Sequence, residues 1–179
     1  MTATDLLHPS LNDWVVLALV AEEDRHGFAV ARELTADAQL GRVWTVPRPL
    51  VYRSIERLTD AGWVTAVREE RGDQGPRRTV MRATATGRRR LRTWLARPVT
   101  HPRDVRVELL VKLMLLERAG KDPAPLAQAQ LDAFADVFAG ITRQARGAVG
   151  PDRVVALWRL ENTRAIERTL RGITRAARS

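Results

Sequence analysis

The chain has 179 residues, 45% of them hydrophobic and 28% charged. That is enough to bury a core and ordinary for a globular protein, which argues against global disorder. A formal net charge of +9 and a pI near 11.4 favour an anionic partner, and the absence of Cys rules out disulfides and thiolate metal sites.

The first apolar run, Leu11, Trp14, Val15, Leu17, Ala18 and Leu19, has helical spacing. It predicts a helix over 11–22, with Ser10 or Asn12 as N-cap. His26–Gly27–Phe28 opens a second helix that carries Phe28, Val30, Ala31 and Leu34 on its apolar face and runs to about Asp37. His26 is expected to cap or pack. A third helix is predicted over 48–61, with Pro49 in its first turn, where a missing N–H costs nothing, and Gly62 as its stop. Val51, Ile55 and Leu58 should face the core, and Arg53 and Arg57 share another face with Arg48 and Tyr52 beside it.

Next comes a β-type run, Trp63 to Arg68, then turn chemistry over 71–76, then a second strand over 77–83. A fourth helix starts near Thr86, with Leu91, Trp94 and Leu95 as its apolar stripe, and ends at Pro98. After a linker over 99–103 the pattern is wholly helical. Val107, Leu110, Val111, Met114 and Leu115 form one apolar face, and Leu131, Phe134, Ala135 and Phe138 form another within a helix over 126–145. A last helix, about 152–177, has a near-heptad seam of Ile166, Leu170, Ile173 and Ala177 beside a stripe of Arg. That seam would pack on the helix around 107–116, on a partner chain, or on both.

Charge is not spread evenly. Residues 42–92 hold 13 Arg against 5 Asp or Glu, a net of +8. This segment is also where three helices are followed by a basic hairpin, the pattern of a winged helix-turn-helix. The expected fold is therefore mostly α, an α+β winged helix-turn-helix domain over 1–98 followed by a helical dimerisation domain over 103–179. The third helix would enter a DNA major groove. Arg53 and Arg57 would read bases, with Arg48 and Tyr52 beside them, and Arg71, Arg77 and Arg78 would hold the backbone from the wing. Arg88, Arg89 and Arg90 would extend this surface if they face the duplex.

Other chemistry finds no support. The three His are far apart, and neither a phosphate loop nor a nucleophile–base pair is legible. No catalytic residue, metal site or cofactor is expected, and the chain is not read as an enzyme. No apolar run approaches the roughly 20 residues of a membrane helix, and MTATDLLHPS shows no basic leader, so no membrane association and a cytoplasmic setting are expected. Five Trp are many for this length. Most should be core, but Trp14 and Trp94 are candidates to line a pocket for a planar effector.

With these residues in place, the chain resembles the PadR family of transcriptional regulators. The likeness lies in His26–Gly27–Phe28, in Val51–Tyr52 followed by Ile55, Leu58 and Gly62, in Gly75–Pro76–Arg77–Arg78, and in Thr84–Ala85–Thr86–Gly87–Arg88 leading to Trp94–Leu95. The helical region after Pro98 resembles the longer subtype. Pro49 and Leu50 stand where the family has small residues, and Met81 stands where it has an aromatic. The resemblance implies a homodimer held by the C-terminal helices and bound to pseudo-palindromic double-stranded operator DNA. It implies a repressor, released in some members by a small aromatic effector. The alternative is a winged-helix protein-interaction module that never touches DNA, which would not need a basic hairpin.

Overall fold

The computed structural model describes residues 8–72 and 75–176, with the side chains of 71–76 outside that description. Two compact units emerge, one made of residues 1–95 with 110–115, the other of 96–109 with 116–179.

The first unit is built around α1 (Leu11–Glu22). A capping box starts it: the Ser10 hydroxyl accepts from the Asp13 amide, and the Asp13 carboxylate accepts from the Ser10 amide at 2.8 Å. Asn12 is not the cap and instead accepts from the Trp44 indole. Every residue from Val15 to Val20 is buried, so this helix is covered on all sides. The next elements are β1 (Arg25–His26), α2 (Gly27–Glu33) and α3 (Arg48–Asp60). They are followed by β2 (Val64–Gly72), β3 (Gly75–Ala83) and α4 (Ala85–Ala96).

Two local expectations change. The second helix stops at Glu33, not near Asp37, because Leu34 turns its amide back to Ala31 and the Thr35 hydroxyl donates to the Arg32 carbonyl. The buried stripe of α3 is Val51, Ser54 and Leu58, while Ile55 is only half-buried. Gly62 does stop α3. It sits at φ +70°, its amide donates to Thr59, and the Trp63 amide reaches back to Leu58 at 2.8 Å, closing a Schellman turn. That turn delivers Trp63 into the core and launches β2.

The sheet has the order β1-β3-β2, all antiparallel. β1 is a strand that periodicity does not predict: two residues, Arg25 and His26, pair with Met81 and Val80. Register shifts after Ala66 and after Glu70 bulge the hairpin. The winged helix-turn-helix is thus complete, three helices and a hairpin, with a third strand added to the sheet by the turn before α2.

In the second unit a 3-10 turn over Pro102–Arg106 begins at the end of the linker expected over 99–103 and runs past it. It is followed by α5 (Glu108–Arg118), whose middle, 110–115, belongs to the first unit, then by α6 (Ala124–Gly147) and α7 (Gly150–Ala176). Gln130 is fully buried in α6. Its amide accepts from the Val99 amide at 2.7 Å and donates to the Val99 carbonyl at 3.1 Å, so it holds the chain after α4 as a strand partner would. Of the expected seam of α7, Leu170 is buried and Ile166 and Ile173 are half-buried. Leu160, Thr163 and Leu170 are buried, and α7 packs along α6. Ala177 lies outside the described residues. The large apolar side chains that α7 leaves exposed are Val154, Val155, Leu157 and Trp158, in its first half.

Asp24, in the turn before β1, braces the wing. Its carboxylate accepts from Arg82 of β3 and lies 3.8 Å from Arg68 of β2. The hydrogen bond from Arg82 holds the Asp24 carboxyl below its ordinary value of 3.8; partial burial opposes this, and the charges of Arg82, Arg68 and Arg88 reinforce it. A lowered folded value means the brace stabilises the fold fully above the ordinary carboxylate range and is lost as pH falls through the lowered value. Thermal midpoints of the wild type and Asp24→Asn should therefore differ by a constant amount above about pH 5 and converge below about pH 4. A gap that persists undiminished at low pH would refute the brace.

Candidate nucleic-acid interface

Burial of Val51, Ser54 and Leu58 turns the opposite side of α3 outward. Arg48, Tyr52, Arg53, Glu56 and Arg57 are all exposed there. Close packing of α2 sets how far Tyr52 projects. A Cβ on Gly27 would stand 2.7 Å from Tyr52 Cε1 and 3.1 Å from Ile55 Cδ1, so a larger residue here would have to displace the Tyr52 ring. His26 caps α2 through Nδ1, which accepts from the Ala29 amide at 3.0 Å. Beside this junction is a cleft of about 560 Å³ between α2, α3 and β3, lined by Phe28, Arg48, Tyr52, Arg77, Arg78 and Met81 among others, with no carboxylate in its lining.

Side-chain pairing divides the arginines sharply. On the wing, Arg77 binds Glu69 at 3.0 Å, Arg68 binds Glu70 at 2.8 Å and Arg82 binds Asp24. Exposed pairs of this kind hold little free energy, so Arg77 remains available to a phosphate. Arg57 turns toward α1: its Nη2 lies 3.3 Å from the buried Asp13 carboxylate and donates to the His8 carbonyl at 3.2 Å. Among the described residues Arg48, Arg53 and Arg78 have no carboxylate partner. Arg48 and Arg78 instead lie over the Phe28 ring at 5.0 and 5.2 Å, and Arg48 also lies 5.7 Å from the Tyr52 ring. The side chain of Arg71 is outside the described residues. On α4, Arg88 donates to the Ala21 carbonyl and Arg89 to the Thr86 hydroxyl, while Arg90 lies 5.9 Å from the Trp63 ring centre.

A helix with an outward arginine face beside a basic hairpin is the arrangement of a DNA-reading winged helix, and comparison with known proteins agrees. Residues 16–93 match the profile described as the transcriptional regulator PadR-like family. This segment belongs to the PadR-like family.

Among solved structures the chain is similar to Bacillus subtilis PadR in complex with operator DNA (19% identity, TM-score 0.48). That similarity covers 92% of this chain and 98% of the other. It is also similar to the Streptococcus mutans UA159 protein smu.1604c (14% identity, TM-score 0.45, 92% and 98% covered). A third similar structure is the Vibrio cholerae virulence activator AphA (20% identity, TM-score 0.42, 93% and 98% covered). No curated protein matches the chain.

Elsewhere in the first unit, Trp14 and Trp94 come together as a pair. Their rings stack on each other, 5.2 Å between centres and 5° from parallel, with Trp63 tilted against Trp14 at 5.5 Å. Each ring therefore fills the space that a planar ligand between them would need. Lys112, itself buried, places Nζ 4.8 Å from the Trp94 ring centre. Phe28 is the residue that sequence reasoning missed. Its helical position assigned it to the core, yet it is half-buried and forms the floor under two arginines. The signal for it was the Gly before it, which strips the side chain from the α2–α3 contact and leaves the neighbouring ring at the edge of the cleft.

Arg53 and Arg57 should therefore separate in their effects. Arg53→Ala should weaken binding to a duplex about tenfold and leave the thermal midpoint unchanged. Arg57→Ala should cost about 1 kcal/mol of folding stability, because Asp13 loses a partner while keeping its bonds to Ser10. Equal losses of stability in both variants would refute this division.

Proposed function

We propose that the chain is a sequence-specific DNA-binding transcriptional regulator, a cytoplasmic homodimeric repressor and not an enzyme. The observation that carries the reading is the outward face of α3 and its cleft, where Arg48, Arg53 and Arg78 have no carboxylate partner among the described residues. Unneutralised guanidinium groups on a groove-sized helix, next to a hairpin that can follow the backbone, suit double-stranded DNA. Arg53 reads base edges, Arg48 and Tyr52 set the helix on the strand, and Arg77, Arg78 and Arg71 hold phosphates from the wing. No helix among the described residues is long and apolar enough to cross a membrane.

In this reading residues 1–98 bind DNA and residues 103–179 pair two chains. The pairing surface is the first half of α7, where Val154, Val155, Leu157 and Trp158 are exposed and Trp158 is 66% accessible. Such a row of large apolar groups on one stretch of helix is what a second copy would cover. Two winged domains joined in this way would place their α3 helices in successive major grooves, about one helical turn apart. A small aromatic effector would act at Trp14 and Trp94. To enter between them it must part the stack, which shifts α4 on α1 and so alters the seat of the reading helix.

A footprint on the DNA upstream of the chain's own gene should show a pseudo-palindrome whose half-sites lie about one helical turn apart. Protection should persist at salt where binding to unrelated DNA has gone. No protection at any salt would sink the DNA reading. In sedimentation, Val154→Asp with Trp158→Asp should turn a dimer into a folded monomer with about tenfold or greater loss of operator affinity. A wild-type monomer would refute the pairing surface alone.

A further inference from the structure

Phe28 belongs to neither the reading helix nor the wing, yet it touches the basic residues of both. Its ring is half-buried at the start of α2, beside the His26 ring at 6.3 Å, and the His26 cap holds this end of α2 in place. Arg48 comes to it from the first position of α3 and Arg78 from β3. Sharing one ring bounds the separation of the two guanidinium carbons by the sum of their distances to its centre. Each is drawn to the negative face of the aromatic system. The two cations repel each other, and among the described residues no carboxylate lines the cleft to offset that repulsion. An anion that accepts hydrogen bonds from both guanidinium groups would remove it.

We propose that Phe28 is a positioning residue that gathers Arg48 and Arg78 into one clamp for a single backbone phosphate of duplex DNA, and so fixes the angle between reading helix and wing. This rests on the DNA-binding reading and deepens it. A phosphate held from two elements at once ties α3 in the groove to the hairpin on the strand. Neither element alone sets that geometry, and the exposed wing pairs are too weak to impose it. Tyr52 shares the cleft, and Arg48 also lies 5.7 Å from its ring centre.

Counterion release separates a shared phosphate from two independent ones. Binding of a mixed-sequence duplex of about three helical turns is measured across a salt series for the wild type, Arg48→Gln, Arg78→Gln and the double variant. With a shared phosphate the double variant loses about one unit of the slope of log K against log salt, and its affinity loss is smaller than the product of the single losses. A loss of about two units, with multiplying effects, means two separate phosphates and overturns the clamp. Phe28→Leu keeps an apolar group of similar bulk and should weaken binding to about the level of the single arginine variants, whereas Phe28→Tyr keeps the ring and should bind as the wild type does. Wild-type binding by Phe28→Leu, or failure of Phe28→Tyr to rescue, overturns the role of the ring. Should Phe28→Leu fail to fold, the slope of the arginine double variant still decides whether the phosphate is shared. If the wild type shows no salt-dependent binding to any duplex, the DNA reading fails and the clamp fails with it.

Discussion

The winged unit is organised by the need to cover α1 on every side. Six consecutive residues, Val15 to Val20, are out of water, so no face of this helix can be left to solvent. The helix α3 and strand β3 pack on it, with α2 adding a smaller contact. Covering α1 fixes which side of α3 turns inward, and the remaining side then presents Arg48, Tyr52 and Arg53 as a consequence. The same helix anchors that outward face a second time. Asp13 closes the capping box of α1 and also receives Arg57 of α3, so the start of the buried helix and the far end of the reading helix share one carboxylate. A buried acid held by an amide, a hydroxyl and a guanidinium is well satisfied, whereas one held by fewer groups would be costly.

Net charge described the segment correctly and its chemistry poorly. The excess of +8 over residues 42–92 already subtracts the acids of the segment, and two of its arginines, Arg57 and Arg82, are further paired with acids outside it. Arg57 serves Asp13, Arg82 serves Asp24, Arg68 serves Glu70, and Arg88 reaches the Ala21 carbonyl. The described arginines left without a carboxylate partner include Arg48 and Arg53 on the outward side of α3 and Arg78 on β3. A field that remains after internal pairing is what an approaching phosphate backbone meets. For this reason the placement of acids matters as much as the placement of arginines, although only the latter stand out in a sequence.

Local chemistry was legible wherever it is decided within a few residues. The bounds of α1, the stop at Gly62 and the hairpin followed from capping groups, glycine and alternation. Features decided across longer distances were not. The two-residue strand β1 exists because β3 offers it a free edge, and nothing in Arg25–His26 alone announces that. The early end of α2 depends on turns that return the chain past Thr35. The inward face of α3 was read one residue off, at Ile55, because a small Ser at position 54 takes the buried place where periodicity favoured a large apolar group. At the site, the reading helix and the wing were found from charge. The partner of Arg57 and the floor under Arg48 were not, since Asp13 and Phe28 lie far from them in sequence.

The last helix shows how one apolar pattern can hold two different interfaces. In its second half, where α7 packs along α6, Leu170 is buried and Ile166 and Ile173 are half-buried, so part of the expected seam is covered within the chain. Its first half carries an apolar row of its own, and there Val154, Val155 and Trp158 remain in water. A helix that packs along one neighbour needs only one stripe, and a second row displaced toward its N-terminus adds nothing to that packing. Apolar groups of this size, grouped and exposed, raise the free energy of a lone chain and lower it when a matching surface covers them. Self-complementarity meets that requirement with no second protein, because a two-fold axis presents each row to its copy. The same two-fold symmetry is what a pair of reading helices needs to meet a palindromic duplex, so the exposed half of α7 and the exposed side of α3 impose one geometric condition on the proposed dimer.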